Sequence, residues 1–93
     1  MKLKYLCEVK TNFPDADFWL IRKGTIKEVG KPTKKYSPEN IGIKVTKPDV
    51  IYPDYLYYAL MSLHNQGEFE KFSRGTLKLQ NIRVDDIKNI SFG

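Results

Sequence analysis

The sequence predicts an α+β fold: a small mixed or antiparallel β-sheet with one main helix and short helical turns. Three observations predict it. Two separated stretches, KLKYLCEV (2–9) and IGIKVTKP (41–48), alternate apolar and polar residues with the period of a half-buried strand. One later stretch carries Leu56, Ala59, Leu60 and Leu63 at the i, i+3, i+4, i+7 spacing of a helix face. Turn chemistry separates these segments, and 93 residues suit one compact domain, taken as residues 1–93.

Taken in order, the first strand places Leu3, Tyr5, Cys7 and Val9 on one side. TNFPDAD (11–17) is a turn rich in Asn, Pro and Asp. FWLIRKG (18–24) is a short apolar run read as a buried strand, and TIKEVG (25–30) is its hairpin partner or its continuation past a bulge. KPTKKYSPEN (31–40) has two prolines and three lysines and no apolar period, so it is a loop. The 41–48 strand follows, and Pro48 and Pro53 bracket an extended connector. The helix opens at Pro53, whose missing N–H has no partner in a first turn. Asp54 suits the positive end of the dipole, and Gly67 is the stop. EFEKFS (68–73) reads as a second short helix with Phe69 and Phe72 on one face. RVDDIKNISF (83–92) reads as a helical turn from Val84 to Lys88 and a terminal strand. No internal repeat or low-complexity tract is apparent.

The charge is uneven. Formal net charge is +5, yet residues 22–47 hold eight basic residues against Glu28 and Glu39, a local net of +6. A concentrated basic stretch fits an anionic partner such as nucleic acid. The alternative is a solvated surface with a lysine-rich loop.

Catalytic chemistry is sparse. Cys7 and His64 are single, which excludes an intrachain disulfide and a cysteine-based zinc site. His64 reads as a residue at a helix end. The pairs Asp15/Asp17 and Asp85/Asp86 fit turn and helix-start positions better than a metal site. There is no glycine-rich phosphate loop. The expectation is a protein without enzymatic activity, cofactor or metal. With one cysteine and no apolar run of signal or membrane-span length, it is expected in the cytoplasm. The clustered tyrosines read as core, as an interface, including that of a homodimer, or less readily as a stacking platform.

Three landmarks in order carry a resemblance. DFWLIRKGTIKEVGKP (17–32), PDYLYYALMSL (53–63) and RGTLKLQNIRVDDIKNISF (74–92) are similar to successive features of target recognition domains in type I restriction–modification specificity subunits. These are an Arg/Lys-Gly-Thr-Ile step, a helix opening with Tyr-Leu-Tyr-Tyr, and a Gly-Thr turn leading to an Asn-Ile pair. The likeness runs from about Asp17 to Phe92. That family carries two such domains with long helical spacers, whereas the likeness here covers one.

The resemblance implies a non-catalytic domain that reads half of a split site in double-stranded DNA, with a methyltransferase or restriction complex as partner. In that family the Gly-Thr turn lies near the DNA-facing side. The implied DNA contacts are Arg22, Lys23, Thr25, Lys27, Lys31, Lys34 and Lys35 from the basic stretch. Arg74, Thr76, Lys78, Gln80 and Asn81 come from the later turn, with Leu77, Leu79 and Ile82 anchoring it. Gln and Asn suit adenine edges and Arg suits guanine. The alternative is an interaction protein of a mobile element that binds and modulates a restriction–modification or other host complex. The two differ in which surface carries affinity, the basic stretch or the aromatic helix face.

Overall fold

The computed structural model describes residues 1–71, 73–76 and 79–91. Its strands are β1 (Cys7–Lys10), β2 (Phe18–Leu20), β3 (Lys23–Gly24), β4 (Pro32–Thr33), β5 (Ile41–Val45), β6 (Arg74–Gly75) and β7 (Gln80–Asn81). Its helices are α1 (Pro53–Asn65) and α2 (Val84–Lys88), with 3-10 turns at Leu3–Tyr5 and Glu68–Lys71. The α+β expectation holds, but the strands form two antiparallel sheets rather than one.

The larger sheet has the order β1, β5, β2, β4. Its central strand β5 is the alternating run 41–45, with Ile41, Ile43 and Val45 buried and Lys44 exposed. All three residues of β2 are buried, because both faces of that strand are covered. Phe18 and Leu20 join the core, while Trp19 packs edge-on to Tyr36 and donates its indole N–H to the Phe13 carbonyl at 2.9 Å. Pro32 has no N–H to donate and is tolerated because β4 lies at the sheet edge.

Helix α1 has the bounds its periodicity predicts. Leu56 and Leu60 are fully buried, and Leu63 packs half-buried against the same core. Tyr52, Tyr55 and Tyr58 face outward. The core joins these leucines to Leu3, Val9, Phe18, Ile43, Phe69, Ile82 and Ile87, among others. The polypeptide leaves α1 through Gly67 into the 3-10 turn that buries Phe69.

Three local expectations need correction. The first strand begins at Cys7, since Leu3–Tyr5 forms a 3-10 turn that buries Leu3 and leaves Tyr5 exposed. Leu3 and Leu6 are three apart, so they face the core together from a tight turn. Residues 25–30 are not a strand. Glu28 and Val29 donate to the Thr25 carbonyl, a helical turn, and β2 pairs instead with β4. Leu79 is 72% exposed and anchors nothing; Ile82, 1% exposed, does that work. Leu77, Phe72 and Phe92 lie outside the described residues. At the termini, Lys2 bridges Ser91.

Candidate nucleic-acid interface

The small sheet unites the two Gly–Thr steps, Gly24–Thr25 and Gly75–Thr76, that lie 51 residues apart. Strand β7 runs between β3 and β6 and pairs with both. Lys23 and Arg74 each stand opposite Asn81, and Gly24 and Gly75 each stand opposite Gln80. Directly paired residues point to the same face. One face therefore carries the row Lys23–Asn81–Arg74, and the other carries Gln80 between two glycines.

Both Gly–Thr steps are turns held by their own residues. Thr25 N–H donates to Glu28 Oε1 at 3.1 Å. Hydrogen bonds from the Thr25 side chain and backbone hold the Glu28 carboxyl below its ordinary range, with Lys31 adding to the effect. Farther along the turn, His64 Nε2 donates to the Lys27 carbonyl at 2.7 Å and ties the turn to the end of α1. In the second step, Leu79 N–H donates to Thr76, reaching both its carbonyl and its hydroxyl. Gly75 has a φ of +122°, and the Leu79 carbonyl occupies the space a Cβ would take.

Gln80 is 7% exposed, a buried polar residue of the core. Its amide donates to the Gly75 and Thr76 carbonyls, and its Oε1 accepts from Ser73 Oγ at 2.9 Å. The amide that the sequence suggests for base contact is engaged in shaping the turn. Asn81, half-buried, donates from Nδ2 to the Arg74 carbonyl at 3.2 Å.

The cations are distributed unequally. Lys23, Lys27, Lys31 and Lys35 are exposed, as are Thr25 and Thr76. Arg22 is half-buried; its Nε donates to the Glu39 carbonyl at 2.8 Å and its own carbonyl accepts from Ile82. Lys34 turns away to α1, 3.1 Å from Asp54 Oδ1 and 4.7 Å from the centre of the Tyr57 ring. Arg74 Nη1 lies 2.8 Å from Asp86 Oδ2, which also accepts from Arg83 N–H. Burial alone would raise the Asp86 carboxyl, but the bonds from Arg74 and Arg83 and their charges outweigh it and hold it low. Lys78 lies outside the described residues. The sequence reading missed Ser73, His64 and Asp86 as supports. Only Asp86 had a signal, the three-residue spacing from Arg83 that lets its carboxylate cap α2.

Among the described residues, no three His, Cys, Asp or Glu side chains converge to hold a metal. No helix there is long and apolar enough to cross a membrane.

No family model matches the sequence, and no curated protein matches it. A solved structure does: the S subunit of a type I restriction–modification system from M. genitalium, with a TM-score of 0.72 over 97% of this chain at 17% identity. The chain shares its fold with part of that S subunit. It spans 32% of the S subunit's length, so the likeness covers one portion of a larger protein. The S-subunit-like fold agrees with the resemblance read from the three landmarks, which now has a spatial meaning: two of them meet in the small sheet and the third, α1, buries Leu56 and Leu60 in the core that Ile82 also joins.

Proposed function

We propose that this protein is a non-catalytic DNA-binding module related to S subunits, which meets double-stranded DNA through the exposed face of its small sheet. The observation that carries the reading is the row Lys23–Asn81–Arg74, in which two cations from distant segments flank an amide. Phosphate contacts fix position and base contacts specify sequence. Lys23, Lys27, Lys31 and Lys35 supply the first, joined by Arg74 from its ion pair with Asp86; Asn81 supplies the second. Thr25 and Thr76 belong to the two turns that border the row, and Lys78 is added from its sequence position alone. Arg22 and Gln80 support this surface through the bonds they make to Glu39 and the 75–76 carbonyls, whereas Lys34 is held at α1 by Asp54. The shared fold also supports a restriction–modification complex as the setting in which the module works.

A second reading rests on a different surface. Tyr52, Tyr55, Tyr58 and Val50 are each at least 60% exposed around the start of α1, which suits a protein partner. Titration of 15N-labelled protein with duplex DNA separates the two. The amides of 23–25, 74–76 and 81–82 are expected to shift. Shifts confined to 50–58, or none at all, would overturn the DNA reading.

A further inference from the structure

The row on the small sheet carries more than charge. We infer that Asn81 is a preset reader of one adenine in the major groove, with Lys23 and Arg74 turned to the phosphates on either side. This rests on the DNA-binding reading above and adds a base identity to it.

An asparagine side chain offers two N–H donors and one oxygen acceptor. One donor of Asn81 is engaged by the Arg74 carbonyl at 3.2 Å, and no described residue takes Oδ1. That leaves one donor and one acceptor on the same amide, tethered to the Arg74 carbonyl. Adenine presents the complement, an N7 acceptor beside an N6 donor. Guanine presents two acceptors, N7 and O6, and would set O6 against Oδ1. The second Asn81 donor that could satisfy it is already engaged. Discrimination therefore includes a repulsive element as well as an attractive one.

The flanking geometry fits the same groove. Neighbouring strands lie about 4.8 Å apart, so β3 and β6 stand about 9.5 Å from each other. With the width of the strands themselves the sheet is about 14 Å across, so it lies over the mouth of the major groove, about 12 Å wide, and only side chains of the exposed face enter. Asn81 on the middle strand then faces base edges, while the longer Lys23 and Arg74 side chains reach outward. Gln80 does not compete for this role. It points to the opposite face, and its amide is bonded to Ser73, Gly75 and Thr76.

The test starts from the wild-type protein. Tight duplexes are selected from a randomised pool, and their adenines are replaced one at a time by 7-deazaadenine, which lacks N7, or by purine, which lacks the N6 amine. Affinity is read by fluorescence anisotropy. One adenine should stand out, each replacement weakening binding roughly 5- to 150-fold, the range of one two-point contact. Asn81→Ala should bind all duplexes with equal indifference at that position, and Lys23→Ala should weaken every sequence alike. The atom replacements use unaltered protein, so they do not depend on the variant's folding. Binding without a preferred adenine, or an adenine preference that survives Asn81→Ala, overturns this inference and leaves DNA binding standing. Absence of binding to any duplex at about 50 mM salt overturns both.

Discussion

Gly30 closes the first Gly–Thr turn, and its replacement by alanine tests how that turn is fixed to the body of the protein. Its φ is +87°, in the left-handed region, and an added Cβ would overlap the Phe69 ring. Phe69 is 2% exposed in the 3-10 turn that follows α1. Two penalties follow for Gly30→Ala. Left-handed backbone costs an L-residue about 1–2 kcal/mol, and forcing a methyl into a packed contact costs about 1–3 kcal/mol. The sum, roughly 2–5 kcal/mol, is a large part of the roughly 5–14 kcal/mol expected for a 93-residue domain. Urea unfolding followed through Trp19, buried and the single tryptophan, reads the loss as a lower midpoint. Phe69→Ala supplies the control. It removes the Cγ and Cδ2 atoms that lie nearest the added methyl, so the double variant should be more stable than the two single losses imply, by about 1–3 kcal/mol. The backbone penalty should remain. Strict additivity of the two changes would refute the packing argument, and an unchanged midpoint in Gly30→Ala would refute the turn geometry as well.

Three further outcomes follow from the same contacts. Gln80→Ala leaves the Gly75 and Thr76 carbonyls without the amide; it should lower stability by about 1–3 kcal/mol in urea melts and weaken DNA binding on every sequence rather than change base preference. Asp86 has a folded pKa below its ordinary value, so its contribution is present above the unfolded value of about 3.9 and is lost as pH falls through the folded pKa. The advantage of wild type over Asp86→Asn in urea midpoint should therefore be full near neutrality and shrink on acidification; a gap that does not change with pH would contradict this. Burial, with a smaller effect from the Asp17 charge, pushes the Cys7 thiol up to about 12. Iodoacetamide at pH 8 should then label Cys7 far more slowly in the folded protein than in urea, and equal rates would show an accessible thiolate.

The parts of the fold that were legible are those with local periodicity. Helix α1 shows itself through Leu56, Leu60 and Leu63 and through Pro53 in its first turn. Strand β5 does so through Ile41, Ile43 and Val45. The N-terminal stretch misled because Leu3 and Cys7 satisfy a two-residue period while Leu3 and Leu6 satisfy a three-residue one. The turn is fixed by contacts far along the chain, Leu3 N–H with the Ile90 carbonyl and Lys2 with Ser91. The small sheet has strands of two residues, too short for any period, and its pairing of Lys23 with Asn81 is non-local. The candidate contact residues could be named from their chemistry and from the family likeness. Their division into outward and supporting groups could not. Leu79 and Gln80 invert the ordinary rule, the leucine exposed and the amide buried, because the buried amide serves the carbonyls of a tight turn. The engagement of Lys34 by Asp54 and Tyr57 likewise depends on where α1 packs.

Whether the small sheet faces DNA is decided by the salt dependence of duplex binding, made in parallel on wild type and Lys23→Ala. Lys23 is exposed on β3, so the variant should fold as wild type does. For the wild type, affinity should fall steeply with salt, with a log–log slope of about −0.9 for each phosphate neutralised. Lys23→Ala should flatten that slope by about one unit and weaken random and selected duplexes alike. A slope unchanged by the loss of Lys23, or no binding by the wild type at about 50 mM salt, would contradict the assignment of the small sheet as the DNA-facing surface.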